Sequence, residues 1–179
     1  MKIRYFSETG EPMLGTPKSA GYDLCVSLPY EDRVVTTIDA YDPMNEPCSI
    51  KTETDYLQRV FISIPPRHRV LVPTGLYTAP EDCDPVLWFA IVLRSSAGWK
   101  KGLQIPNSVG VIDQDYRGQW RLILFNPLQV PVIIHHEERL AQFIPLRSEP
   151  IEWESVANSG CITNDKTIRG SSGFGSTGK

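Results

Sequence analysis

The densest chemistry in this chain lies in NSVGVIDQDYRG, Asn107 to Gly118. Two carboxylates, Asp113 and Asp115, flank Gln114, and Tyr116 follows. In an extended segment residues two apart point to the same face, so both carboxylates can share one environment. One reading is a hairpin whose Asp side chains hydrogen-bond their own turn backbone. The other is a general base that activates water, with an aromatic platform beside it.

Four further stretches carry candidate groups. In LRSSAGWKKG, Arg94 leaves an apolar run and is followed by Ser95 and Ser96 at an expected helix start. A helix start offers free N–H groups to an anion, and either serine suits an N-cap. A guanidinium at the end of a buried strand needs an anionic partner, an internal carboxylate or a substrate phosphate. In SAGYDLCV, Asp23 interrupts an apolar stretch and must find a donor, a cation or a metal-bound water. ERLAQF sets Arg139 and Gln142 at a strand start. The closing RGSSGFGSTGK contains the G-x-x-x-x-G-K spacing of a phosphate loop, without the strand and helix that frame a P-loop. Its glycines suit an anion-binding nest, Arg169 a phosphate fork and Phe174 a stacking surface.

The elements that must position these groups read as short strands. Fifteen prolines and thirteen glycines cut the 179 residues into pieces. VLWFAIVLR (Val86 to Arg94), RVLVPTGLY (Arg69 to Tyr77) and QWRLILFN (Gln119 to Asn126) are apolar runs expected to be buried on both faces. VPVIIHH and RLAQFIPL add two more, with HEE between them as a turn. One short helix is expected, over Ser95 to Gly102. The pattern predicts an all-β sandwich, jelly roll or barrel. Residues 30–58 hold seven of the 21 acidic residues against two basic ones, and read as a solvated excursion from the core. The Gly/Ser/Thr-rich tail, 164–179, reads as a mobile arm on a β domain spanning 1–163.

Composition excludes several classes. A formal net charge of −3 leaves no basic footprint for nucleic acid. No apolar run has the length of a membrane span, and the first residues lack the apolar core of a signal peptide. Cys25, Cys48, Cys83 and Cys161 are too widely spaced for a zinc site and read as reduced thiols of a cytoplasmic protein.

Taken in order, SAGYDL, RSSAGWKKG, GVIDQDYRG, RLAQ and RGSSGFGSTG resemble the five sequence motifs of the trimeric dUTP pyrophosphatases (dUTPases). The resemblance implies a jelly-roll-like homotrimer whose active sites are shared between subunits. It implies hydrolysis of Mg²⁺-bound dUTP to dUMP and pyrophosphate, with Asp113 as the general base. Tyr116 would pack under the deoxyribose, and Asn107 to Gly110 would read the edge of uracil. Asp23 would meet Mg²⁺ through water, and Arg94, Ser95, Ser96 and Gln142 would contact the phosphates. Arg169, Gly175, Ser176 and Thr177 would close on the terminal phosphates while Phe174 stacks on uracil.

Two features depart from the family pattern. Ala97 and Gly98, beside Trp99, stand where a large apolar residue and a small one are usual. The first two motifs are also further apart, with the 30–58 stretch filling the gap as a surface hairpin, a partner-binding device or a neutral insertion. The rival enzyme is a dCTP deaminase, which shares the fold and the R-S-S element but does not call for IDQDYRG. The rival of another class is a non-catalytic nucleotide-binding regulatory domain.

Overall fold

The computed structural model describes residues 2–28, 34–39, 46–83, 85–163 and 167. The chain separates into two compact units, 1–149 and 150–179. Among the described residues the first contains thirteen strands: β1 (Ile3–Ser7), β2 (Tyr22–Cys25), β3 (Val34–Asp39), β4 (Cys48–Lys51), β5 (Glu53–Thr54), β6 (Val60–Ile64), β7 (His68–Pro73), β8 (Leu76–Pro80), β9 (Val86–Leu93), β10 (Gly110–Ile112), β11 (Arg121–Phe125), β12 (Val132–His135) and β13 (Arg139–Ser148). Helix α1 (Ser95–Lys101) lies between β9 and β10. The sheets run β1-β8, β10-β9-β13-β2, β11-β7-β3-β4 and β12-β6-β5, with every named pair antiparallel. The all-β expectation holds. The second unit adds a single-turn helix, α2 (Gly160–Thr163), that the sequence pattern did not suggest. Just ahead of it, Asn158 Oδ1 accepts the Gly160 N–H at 2.9 Å.

The core follows strand alternation. Val60, Ile62 and Ile64 of β6, Val70 and Val72 of β7, Leu122 and Leu124 of β11, and Val132 and Ile134 of β12 all point inward. Of the three long apolar runs, the one that forms β9 approaches burial on both faces, because Leu87, Phe89, Ala90 and Ile91 are all buried. The runs 69–77 and 119–126 differ from that expectation. The first breaks at Thr74–Gly75, where Gly75 takes a φ of 67° and lets β7 end and β8 begin. In the second, β11 alternates strictly, leaving Arg121 and Ile123 exposed, as an antiparallel strand with one wet face must. Trp120 is fully buried, 4.9 Å from Phe89 and 5.1 Å from Phe143 between ring centroids.

The acidic stretch is not a pure excursion. Strand β3 pairs with β7 on one side and β4 on the other, which lengthens one sheet by two strands. Val35 and Thr37 are buried, so two inward positions suffice to fasten an otherwise polar segment. Residues 29–33 and 40–45 lie outside the described residues. The stretch ends in a turn tied by Asp55, whose Oδ1 accepts the N–H groups of Leu57 and Arg59. The Arg59 backbone N–H, ahead of the other contacts, holds that carboxyl below the usual range.

All four cysteines are free thiols. Among the described residues no helix is long and apolar enough to cross a membrane. Trp120 is the largest fully buried side chain among the described residues, and its truncation would leave a cavity. Trp120→Ala is expected to cost about 3–5 kcal/mol of stability, measured by denaturant unfolding at fixed protein concentration.

Candidate active site

The expected site residues fall into two groups within the first unit. The first surrounds a cleft of about 600 Å³ and includes Asn107, Gly110, Asp113 and Tyr116. Apolar walls come from Leu71, Ile91, Ile105 and Leu122, and Arg121 adds a cation. Strand β10 delivers this group. Gly110 pairs with Ile91, and a Cβ at Gly110 would meet the Ile91 Cβ at 3.2 Å, so glycine lets the hairpin lie close on β9. Ahead of it, Ser108 adopts a φ of 63° and donates its N–H to the Ile105 carbonyl at 2.9 Å. That turn leaves Asn107 exposed at the mouth of the cleft.

Beyond Ile112 the chain is not extended. The Tyr116 N–H donates to the Asp113 carbonyl at 3.2 Å and closes a turn over Asp113–Tyr116. The shared face expected for Asp113 and Asp115 is therefore lost: Asp113 lines the cleft and Asp115 does not. The alternative of Asp side chains tying their own turn fails too. Arg117 does the tying, its Nη1 donating to the carbonyls of Gln114 at 2.7 Å and Tyr116 at 3.2 Å. Among the described residues the Asp113 carboxylate has no hydrogen bond or ion pair, and it is exposed. Tyr116 folds back so that its hydroxyl donates to the Gln119 carbonyl at 3.0 Å. A Cβ on Gly118 would overlap the phenol, which is why a glycine follows Arg117.

The second group is electrostatic. Asp23 on β2 lies opposite Gln142 on β13, and Gln142 lies opposite Val92 on β9. Asp23 Oδ1 meets Arg94 Nε at 3.1 Å and Oδ2 meets Arg139 Nη1 at 3.1 Å. Two residues that each lacked a partner in the sequence are thus partners of each other. Simple alternation would send Arg139 and Gln142 to opposite faces. The irregularity between Arg139 and Ala141 shifts the phase, so both Arg139 and Gln142 serve the Asp23 side. Gly21 is also explained, since a Cβ there would lie 3.0 Å from the Phe143 carbonyl and 3.3 Å from Gln142 Oε1.

Ser95 and Ser96 follow Arg94 and are exposed, but neither caps α1. Arg94 occupies the N-cap position with extended backbone, and no side-chain hydrogen bond caps the helix. The helix forms despite Ala97 and Gly98. Ala97 is buried, and Gly102 in the left-handed region closes the end. Trp99 is 89% exposed. Arg169, Phe174, Gly175, Ser176 and Thr177 lie outside the described residues.

Gly110 and Asp23 lie on the two edge strands of the sheet β10-β9-β13-β2, with Gln142 on β13 and Arg94 just beyond β9 between them. Three strand spacings of about 4.8 Å separate those edges by roughly 14 Å. One chain therefore does not bring Asp113 and Asp23 into contact. Arg139 has the strongest geometry that sequence spacing undervalued, and its signal, a cation three residues before Gln142, is legible only once the bulge is known. Among the described residues no three His, Cys, Asp or Glu side chains converge to hold a metal.

A sequence model of the dUTPase family matches residues 56–178. The chain belongs to the dUTPase family. It is 40% identical over 109 residues to the deoxyuridine 5'-triphosphate nucleotidohydrolase of Leptospira interrogans, covering 60% of this chain and 70% of that protein. Its fold is similar to the crystal structure of the dUTPase from Streptococcus mutans, with a TM-score of 0.59 at 24% identity. That match covers 86% of this chain and 100% of the other. It is also similar to a dUTPase variant of Staphylococcus bacteriophage 80alpha solved with dUpNHpp, with a TM-score of 0.69 at 15% identity, covering 99% of each chain. The matched family region takes in the cleft, Arg94 and Gln142, while Asp23 lies before it.

The pairing of Asp23 with two guanidiniums carries its own test. Both arginines are partly solvated, so the bonds are screened. Asp23→Asn is expected to cost about 1–2 kcal/mol of stability, measured by denaturant unfolding, with the deficit shrinking at high salt.

Proposed function

We propose that this chain hydrolyses dUTP to dUMP and pyrophosphate, with Asp113 as the general base. The observation that carries the proposal is the convergence of an unpartnered carboxylate, Asp113, with Asn107, Gly110 and Tyr116 on one cleft. Asp113 takes a proton from the attacking water, whose oxygen bonds to the α-phosphorus as the bond to the departing pyrophosphate breaks. A positioned base supplies roughly 10²- to 10⁴-fold of rate. Asn107 and the Gly110 backbone offer donors and acceptors to the Watson–Crick edge of uracil, and the Tyr116 ring leaves no space for a 2′-hydroxyl. A close hairpin of this kind also excludes a thymine methyl.

Arg94, Ser95, Ser96 and Gln142 are assigned to the phosphates. Asp23 holds the Arg94 guanidinium in place, which lowers the ordering cost of a phosphate contact. Both Asp23 oxygens already accept from arginine, so this carboxylate suits a metal-bound water better than the metal itself. Mg²⁺, when bound to the triphosphate, supplies charge neutralisation at the phosphates. Arg169, Gly175, Ser176 and Thr177 are assigned to the terminal phosphates and Phe174 to uracil stacking, as parts of a closing arm over 164–179 that excludes water.

The separation of the two groups supports a homotrimer in which the cleft of one subunit meets the Asp23–Arg94–Gln142 group of another. The same reading assigns the protein to the cytoplasm, where it limits uracil incorporation into DNA and supplies dUMP for dTMP synthesis. The role of 30–58 is best read as a sheet extension, since β3 and β4 pair into the sheet.

With Mg²⁺ present, pyrophosphate release from dUTP is expected to exceed that from dCTP, dTTP and UTP by on the order of 10²-fold or more, because a missing or clashing polar contact is costly. Equal rates across the four nucleotides would remove the proposal. Asp113→Asn is expected to lower kcat by roughly 10²- to 10⁴-fold while still binding a non-hydrolysable dUTP analogue, as read by single-turnover kinetics and calorimetry.

A further inference from the structure

Gln114 stands between the two carboxylates of the 107–118 stretch, and none of the roles above uses it. Its side chain reaches back to the start of β9. Oε1 accepts the Leu87 N–H at 2.9 Å and the Cys83 thiol at 3.0 Å, while Nε2 lies 3.5 Å from Asp82 Oδ1.

The strand register explains the first of these bonds. Strands β10 and β9 pair as Gly110 with Ile91, Val111 with Ala90 and Ile112 with Phe89. Continued by two residues, that ladder would set position 114 opposite Leu87. The ladder is not continued, because the backbone turns away over Asp113–Tyr116. The amide oxygen of Gln114 takes the place a β10 carbonyl would have held. Leu87 is 1% exposed, so its N–H has no water to turn to if that oxygen is withdrawn. One face of the turn is thus tied to β9 by Gln114, and the other is closed by Arg117 on the carbonyls of Gln114 and Tyr116.

We infer that Gln114 is the positioning residue for Asp113, ending the β10–β9 ladder on the Leu87 N–H and so fixing the turn that presents Asp113 to the cleft. This rests on the assignment of Asp113 as the base. The Asp113 carboxylate has no partner of its own among the described residues, so its placement depends on the backbone beneath it. A misplacement of about 1 Å can cost on the order of 10²-fold in rate.

Two substitutions separate the hydrogen bond from the packing. Gln114→Met keeps length and approximate volume but offers only a thioether, a weak acceptor; Gln114→Glu keeps an oxygen for the Leu87 N–H. Steady-state kinetics on full-length protein with Mg²⁺ and dUTP are expected to give Gln114→Met a kcat lower by about 10- to 100-fold, with KM within about twofold of wild type. Gln114→Glu is expected to retain kcat within about threefold of wild type, since it restores the one acceptor that matters. Gln114→Met at the wild-type rate, or Gln114→Glu reduced as far as Gln114→Met, overturns the inference while Asp113→Asn is inactive. If Gln114→Met does not fold, the Gln114→Glu result decides, because a tenfold loss there overturns the inference by itself. A wild-type rate for Asp113→Asn overturns the base assignment and this inference together.

Discussion

Strand β9 is hydrogen-bonded along both edges, to β10 on one side and β13 on the other, and the candidate site depends on that double ladder. An eight-residue strand with four buried side chains cannot slip by one position without sending its apolar face to solvent. Its register is therefore held firmly, and it passes that register to both neighbours. At one end the β10 pairing stops where Gln114 bonds Leu87, and the chain turns to place Asp113 in the cleft. At the other, β9 runs out at Leu93 and Arg94 opens α1.

The same ladder organises the charges. Strand β13 carries Gln142 opposite Val92, and β2 carries Asp23 opposite Gln142, so polar positions on two adjacent strands lie at one level of the sheet. Asp23 then finds the guanidiniums of Arg94 and Arg139 within 3.1 Å. A carboxylate between two arginines offsets its own desolvation and leaves the group with surplus positive charge, the sign a triphosphate needs. The cleft lies at the β10 edge of the sheet and Asp23 at its β2 edge, with Gln142 on β13 and Arg94 just beyond β9 between them.

The acidic stretch shows how composition can mislead. Seven acidic residues against two basic ones signal a solvated segment, and most of its described residues are exposed. Yet Val35 and Thr37 turn inward, and the backbone of β3 completes hydrogen bonds with β7. A strand needs only alternate positions to be apolar or satisfied, so average composition says little about whether the backbone is paired.

Much of the site was legible in the residue types themselves. Asp113, Tyr116, Asn107 and Gly110 stood in one short run, and a run so short must end up in one place; the cleft contains all four. The strands 86–93, 132–135 and 139–148, the turn after His135 and the helix at 95–101 followed from apolar runs and breakers, which are local properties. Other features depend on sequence separations that no local pattern encodes. The Asp23–Arg94 and Asp23–Arg139 pairs join residues far apart along the chain, and the bulge that turns Arg139 toward Asp23 is a matter of ladder phase. The turn at Asp113–Tyr116 was hidden because IDQD alternates as a strand does, whereas in the structure the Tyr116 N–H closes on the Asp113 carbonyl and the Gln114 side chain accepts the Leu87 N–H. Sequence determined which groups were available; the register of β9 and β13 decided which of them meet, because pairing across a sheet is set by distant partners.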